Sequence, residues 1–129
     1  MFLNRGQLDG NRILSEPGVE KMLANHIGGL RVDRLTTVAP PVSADVEFFP
    51  GIEKTHSFGF MRMEGDVPQM RGAGSQAWAG VLNTHFWFDP AHDLAALFMT
   101  QSLPFMEPRF VHVYERFEQA VYASEREKC

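Results

Sequence analysis

The sequence predicts an α+β fold in which an antiparallel sheet of three or four strands packs against helices. Across residues 82–88, leucine, threonine and phenylalanine alternate with asparagine, histidine and tryptophan, which is typical of a strand with two different faces. After a short turn, residues 94–99 form an almost unbroken apolar run that fits a strand buried on both faces. Residues 110–121 carry apolar side chains at helical spacing. We therefore expect a β-hairpin with an amphipathic helix on one face of its sheet.

The first helix is predicted to begin after Ser15, which is a favoured N-cap residue. Glu16 and Pro17 follow in the first turn, where an acidic side chain and a proline are both favourable. We expect the helix to end at Gly28 and Gly29, because glycine commonly terminates helices. Its apolar face is expected to consist of Val19, Met22 and Leu23.

The middle of the chain is predicted to be a long loop followed by a strand. Residues 30–51 contain three prolines and little regular patterning, and loops of this length are usually functional, or disordered without a partner. Phe48 and Phe49 are expected to anchor this loop. Residues 57–64 are predicted to form one strand, and residues 65–68 to turn the chain toward the next strand.

Two prolines delimit the last helix and the strand before it. Pro104 is expected to end the second strand of the hairpin, and Pro108 to lie in the first turn of the helix. Residues 124–129 are predicted to be a frayed, charged tail. The buried face of the helix is expected to consist of Phe110, Val113, Tyr114, Phe117 and Val121. The solvent-facing side is expected to include Arg109, His112, Glu115, Arg116, Glu118 and Gln119.

The composition bounds the classes of function. A length of 129 residues corresponds to one domain, and the 44% hydrophobic and 22% charged fractions are ordinary for globular proteins. The net charge of -4 argues against a nucleic-acid partner, which favours a basic surface. We expect no membrane association and a cytoplasmic location, because there is no secretory signal pattern and no apolar run of about 20 residues. The single cysteine, Cys129, cannot form an internal disulfide and is interpreted as an incidental thiol.

The histidines and methionines do not form a recognisable metal site. The five histidines lack zinc-like spacing, and Met61, Met63 and Met70 are expected to fill a core rather than bind a metal. His26 is expected to interact with the carbonyls at the end of the first helix. We therefore predict no metal and no cofactor.

Three segments carry a resemblance to a known family. Residues 78–80 (WAG), 83–90 (NTHFWFDP) and 94–101 (LAALFMTQ) resemble the end of the serine β-lactamase-like family, which includes class C β-lactamases, DD-peptidases and related esterases. Residues 3–28 and 110–124 resemble a late helix and the final helix of that family. The resemblance implies a β-lactamase/transpeptidase-like fold and corresponds to the last third of a full member, so residues 1–129 would be a single partial domain. It also implies that residues 1–8 end a longer helix.

The family has three active-site motifs, and this sequence matches one of them. No serine has a lysine three residues later, and neither Tyr114 nor Tyr122 has an asparagine two residues later. The sequence at residues 54–56 (KTH) nearly spells the Lys-Thr-Gly motif but lacks its glycine, and we interpret it as coincidental. Trp78-Ala79-Gly80 instead matches the Trp-x-Gly variant that replaces Lys-Thr-Gly in esterase-like members.

The resemblance implies roles for four residues. Trp78, Ala79 and Gly80 would line the substrate cleft, and Gly80 would allow substrate to approach the backbone closely. The backbone N–H of Val81 would be a donor of the oxyanion hole. Because an indole carries no positive charge where β-lactamases carry a lysine, Trp78 disfavours β-lactams and favours an uncharged small-molecule ester or amide.

Three interpretations of function remain. The first is the C-terminal fragment of a β-lactamase-like serine hydrolase, most similar to the esterases, whose acyl-enzyme would form on a serine outside this chain. That serine could be supplied by an N-terminal chain, and the chain alone would be inactive. The alternative is a non-catalytic assembly or binding module that forms a homo-oligomer through its sheet. A third interpretation is a small-ligand-binding domain that uses the cleft beside Trp78.

Overall fold

The computed structural model describes residues 1–127 as a sheet with helices at both ends of the chain. Two short strands, β1 (Gln7–Leu8) and β2 (Asn11–Arg12), pair as a small hairpin before the helix α1 (Glu16–Leu23). The last helix, α2, spans Pro108–Arg126. Between the helices lie the strands β3 (Lys54–His56), β4 (Met61–Met63), β5 (Gln76–Gly80), β6 (Thr84–Asp89) and β7 (Leu94–Phe98).

The five main strands form one antiparallel sheet in chain order, β3-β4-β5-β6-β7. The α+β class is therefore confirmed, whereas the expected three or four strands were too few. The additional strand comes from Lys54–His56, and the predicted strand at residues 57–64 is shorter than expected. A turn separates β3 from β4, in which the Ser57 N–H donates to the Phe60 carbonyl over 2.9 Å.

One face of the sheet packs against α2. Ala77 of β5, Trp87 of β6 and Leu94 of β7 are buried there together with two tyrosines of the helix, Tyr114 and Tyr122. The opposite face carries a cluster of aromatic rings formed by Phe2, Phe60, Phe86 and Phe88. The strand alternation predicted for residues 82–88 thus separates two faces of β6, although the strand itself begins at Thr84.

The last strand, β7, is buried on one face only, which corrects the expectation of burial on both. Leu94 is buried, but Ala95 and Leu97 are exposed, and Leu97 has 56% of its surface accessible. Within residues 1–127, β7 pairs with β6 and with no further strand. Within residues 1–127, β7 therefore has one largely exposed face and one unpaired edge.

The last helix begins as predicted but has a different buried face. Pro108 lies in its first turn, and Phe110, Phe117 and Val121 pack against the core. Val113 is 54% exposed, which contradicts its predicted burial. Glu118, predicted to face solvent, is fully buried because it pairs with a buried arginine. The helix continues to Arg126, past the start of the predicted tail, and Cys129 lies outside the described residues.

The start of the first helix is confirmed, and its end is corrected. The Ser15 hydroxyl accepts a hydrogen bond from the Gly18 N–H over 3.2 Å, as an N-cap does. The helix ends at Leu23, five residues before Gly28, with Ala24 as its C-cap. His26 contacts a terminal carbonyl as expected, with its Nε2 2.5 Å from the Lys21 oxygen. Residues 1–8 form turns and β1, not the end of a helix.

The predicted loop at residues 30–51 is confirmed, and its two phenylalanines anchor it. Phe48 and Phe49 pack against a small core of Met61, Met63 and Val67, so these methionines fill a core as expected. Leu35 and Val46 form an isolated bridge that ties the loop to itself. In the described part of the chain, no helix has the length and apolar character required to cross a bilayer.

Candidate functional site

The residues of the Trp-x-Gly sequence and the residue after it lie together at a cavity. A cavity of about 230 Å³ lies at the C-terminal end of β5, and Trp78, Ala79, Gly80 and Val81 all line it. The rest of its wall comes from the long loop, the neighbouring strands and α2. These residues are Leu35, Phe48, Phe49, Met61, Arg71, Ala77, His85, Phe105 and Tyr114.

The cavity lies beside an open edge of the sheet. β4 pairs with β5 only through Met61 with Ala77 and Arg62 with Gln76, because β4 has three residues. On its other side β5 pairs with β6 along its whole length, up to Gly80 with Thr84. Residues 78–80 therefore have a strand neighbour on one side and an open side on the other.

The backbone N–H of Val81 points toward this open edge. The carbonyl of Gly80 accepts a hydrogen bond from the Asn83 N–H over 3.0 Å and so points toward β6. In a trans peptide the N–H lies opposite the carbonyl, so the Val81 N–H points away from β6. Within residues 1–127 this N–H donates to no acceptor. It is therefore a free donor, and it belongs to the residue directly after Trp78-Ala79-Gly80.

The turn that carries Val81 has a defined geometry. Gly80 to Asn83 form a β-turn, and Asn83 has a positive φ of 59° whereas Val81 and Leu82 do not. Negative φ at both central residues identifies a type I turn with Val81 at its second position. Asn83 is held in place because its side chain donates to the Ser102 and Pro104 carbonyls, each over 3.0 Å.

Gly80 and Trp78 leave space at the edge. A Cβ atom built on Gly80 would meet nothing nearer than Thr84, at 3.9 Å, so contacts within the chain do not require glycine there. Trp78 is 48% exposed and meets the His56 ring edge-on, with 5.3 Å between ring centroids. An indole in this position offers an exposed apolar surface and carries no charge.

The charged group nearest the cavity is already neutralised. Arg71 lines the cavity but forms a buried ion pair with Glu118 and donates to the Tyr114 hydroxyl over 2.9 Å. Burial alone would lower the pKa of Arg71, but the hydrogen bonds to Glu118 raise it. Burial raises the pKa of Tyr114 to about 12. At neutral pH, Arg71 is therefore positive, and its charge is matched by Glu118.

His85 is a buried histidine at the same cavity. It is 2% exposed, and its ring lies against Phe105, Phe110 and Tyr114. Its Nε2 is fully buried and has no hydrogen-bond partner within residues 1–127. Burial, and then the charge of Arg71, lower the pKa of His85 to about 4, so the imidazole is neutral at pH 7. The sequence pattern around His85 gave no signal of this position, because the residue reads as one of the alternating side chains of β6.

A second buried polar cluster, which no local sequence pattern indicates, lies around Asp89. Asp89 accepts hydrogen bonds from the Gly72 N–H and the Tyr122 hydroxyl, each over 2.8 Å, and its Oδ2 lies 2.8 Å from Nδ1 of His92. Burial opposes ionisation of Asp89, but these hydrogen bonds lower its pKa. This cluster closes the turn between β6 and β7 against α2, and it lies apart from the lining of the cavity. We assign it a structural role.

The described residues contain no assembled catalytic centre or metal centre. No group of three or more histidine, cysteine, aspartate or glutamate side chains within residues 1–127 is placed to hold a metal ion. The sequence contains no Ser-x-x-Lys. What the edge can supply chemically is a free N–H donor, space beside Gly80 and apolar walls.

The fold is similar to part of a known enzyme. Simvastatin synthase (LovD) from Aspergillus terreus, in its unliganded form, matches 95% of this chain with a TM-score of 0.72 and 19% identity. Its LovD6 and LovD9 mutants match 98% of the chain, each with a TM-score of 0.69 and 20% identity. The chain covers only 31–32% of the length of these proteins. At this identity the likeness shows the fold alone. No family model and no curated protein matches the sequence.

Proposed function

We propose that this chain is the C-terminal portion of a β-lactamase-like serine hydrolase of the esterase type, acting in the cytoplasm. The observation that carries the proposal is the free Val81 N–H at the open edge, directly after Trp78-Ala79-Gly80. A donor in that position can stabilise the oxyanion of a tetrahedral intermediate. The similarity to part of simvastatin synthase, with about two thirds of that enzyme unmatched, supports a portion of a larger enzyme.

The proposed reaction is acyl transfer in two steps. A serine hydroxyl outside this chain attacks the ester or amide carbonyl, a base removes its proton, and the alcohol or amine leaves with a proton. Water then releases the acid from the acyl-enzyme. In both steps the Val81 N–H donates a hydrogen bond to the negatively charged oxygen of the tetrahedral intermediate and forms no covalent bond. The chain alone is expected to have no activity.

The site favours an uncharged substrate. Trp78 offers an apolar surface, and Arg71 is neutralised by Glu118, so the cavity supplies no free positive charge for a carboxylate. Moving an unpaired carboxylate into such surroundings is costly. We therefore expect turnover of p-nitrophenyl acetate and none of the β-lactam nitrocefin.

The test is an assay of the chain alone and mixed with the product of the neighbouring upstream reading frame. Val81→Pro removes the N–H, and proline suits the second position of a type I turn, so the fold should be kept. We expect the mixture to hydrolyse p-nitrophenyl acetate and Val81→Pro to lower its kcat about 100-fold. Val81→Ala, which keeps the N–H, is the matched control. Activity of the chain alone, or equal activity of both variants, would contradict the proposal.

A second candidate function is assembly through the sheet. The exposed side chains of Leu97 and Met99, together with the free edge of β7, favour pairing with another strand. On this alternative, a homo-oligomer would close the sheet and the chain would have no catalytic role. Light scattering of the chain and of Leu97→Lys distinguishes the two: a stable oligomer that the lysine dissociates, with no esterase activity on mixing, would favour assembly.

A further inference from the structure

The cavity at the C-terminal end of β5 has the size and lining of a small-molecule binding site. Its volume is about 230 Å³. A dry apolar cavity of about 150 Å³ is enough to bind benzene in a protein interior. The cavity can therefore hold a molecule of roughly two fused rings.

The walls favour a flat, apolar ligand. Six of the thirteen lining residues carry aromatic rings. Aromatic rings interact favourably with one another in offset-stacked and edge-on arrangements. Such a lining therefore favours the binding of planar aromatic molecules. The six residues are Phe48, Phe49, Trp78, His85, Phe105 and Tyr114.

The cavity offers no unpaired charge. Arg71 is held by Glu118 and Tyr114, with its guanidinium carbon 4.9 Å from the centre of the Phe49 ring. An anionic ligand would have to give up its hydration without gaining a free cation, which is unfavourable. We therefore expect the cavity to bind uncharged ligands.

One polar side chain in the wall, that of His85, has a ring nitrogen without a partner in the described part of the chain. The buried Nε2 of His85 lacks a partner within residues 1–127, and buried polar groups in native proteins are nearly always hydrogen-bonded. Rotation of the imidazole by 180° about its χ2 bond exchanges each ring nitrogen with a ring carbon. An edge of this ring that meets the cavity can therefore present a nitrogen, which in the neutral imidazole accepts or donates one hydrogen bond.

We propose that this cavity binds a small, uncharged aromatic molecule of about two fused rings, and that His85 selects ligands carrying one hydrogen-bonding N–H or O–H. The inference goes beyond the acyl-transfer role, because binding in the cavity needs no nucleophilic serine. It would stand if mixing with a second chain gave no hydrolysis.

The test uses indole and indene, two bicyclic probes of nearly equal shape that differ in the N–H group. Each is titrated into the isotope-labelled chain, and binding is followed by the backbone amide NMR signals. We expect indole to bind roughly tenfold more tightly than indene, because one hydrogen bond to a buried group is worth about that factor. The shifted signals should be those of residues that line the cavity, such as Ala79, Val81 and His85. This comparison uses the unaltered chain.

A variant separates the role of His85 from the size of the cavity. His85→Phe keeps an aromatic ring against its neighbours but removes both ring nitrogens, so indole should bind about as weakly as indene. His112→Phe, the same change at an exposed position of α2, is the matched control and should leave both affinities unchanged. Equal binding of indole and indene by the unaltered chain would refute the selective role of His85. Absence of binding, or shifts only away from the cavity, would refute the site itself.

Discussion

Arg71 and Glu118 form a bidentate ion pair in the protein interior, with Nε of Arg71 2.8 Å from Oε1 of Glu118 and Nη2 2.7 Å from Oε2. Both side chains are almost completely inaccessible to solvent. The pair joins the segment between β4 and β5 to the middle of α2. It therefore holds one wall of the cavity against the helix.

Breaking this pair on one side should be strongly destabilising. Glu118→Ala leaves the Arg71 charge buried without a partner, and we expect a loss of about 3–5 kcal/mol in the free energy of unfolding. The measurement is urea unfolding followed by circular dichroism. Glu115→Ala, on the same helix, is the control and should change stability by less than about 0.5 kcal/mol. A loss below about 1 kcal/mol for Glu118→Ala would show that the pair is not buried as described.

His85 should make the protein less stable as the pH falls from about 6.5 to 4. Its pKa is lowered to about 4 by burial and by the charge of Arg71. In that pH window the unfolded chain takes up a proton that the folded chain does not, so the free energy of unfolding decreases with falling pH. The expected loss attributable to His85 is about 3 kcal/mol across the window.

Denaturant unfolding at pH 7, 5.5 and 4.5 tests this dependence. His85→Phe cannot take up the proton, so its stability should fall less than that of the unaltered chain over the same range. Its stability at pH 7 can differ for other reasons, and only the change with pH is compared. Identical pH dependence of the two proteins would mean that His85 titrates normally.

Asn83 should be important both for its side chain and for its backbone conformation. It has a φ of 59°, and its Oδ1 accepts a hydrogen bond from the Met106 N–H over 2.7 Å. Asn83→Ala loses the side-chain bonds and is strained at positive φ, so we expect a loss of about 2–4 kcal/mol. Asn83→Gly loses the same bonds without the strain. It should therefore be about 1 kcal/mol more stable than Asn83→Ala in thermal unfolding, and the reverse order would contradict the assignment.

The Tyr122 hydroxyl should contribute through two hydrogen bonds. It donates to Asp89 over 2.8 Å and accepts from the Trp87 indole over 3.2 Å. Tyr122→Phe leaves both groups without this partner in a buried site, and we expect a loss of about 1–3 kcal/mol in urea unfolding. The emission maximum of tryptophan fluorescence should also shift, because the Trp87 N–H loses its hydrogen-bond acceptor. Unchanged stability would mean that water replaces the hydroxyl.

The local features of the fold could be predicted from the sequence because their causes lie within a few residues. The N-cap of Ser15, the proline start of α2 and the alternation along β6 all depend on neighbouring residues. The strand β3 was missed because Lys54–His56 is short and polar and has no strand pattern of its own. It is a strand because its backbone pairs with that of β4. The end of α1 was misplaced because glycine is one of several ways to terminate a helix.

The sequence by itself determined the hairpin, the amphipathic last helix and the position of Trp78-Ala79-Gly80 on the strand that precedes the hairpin. Only the tertiary structure decided that Glu118 is buried, that His85 lies at a cavity and that the Val81 N–H has no acceptor within residues 1–127. The physical reason is that burial and hydrogen-bond satisfaction depend on partners distant in the chain. Glu118 is stable inside the protein because Arg71, 47 residues earlier, meets it there.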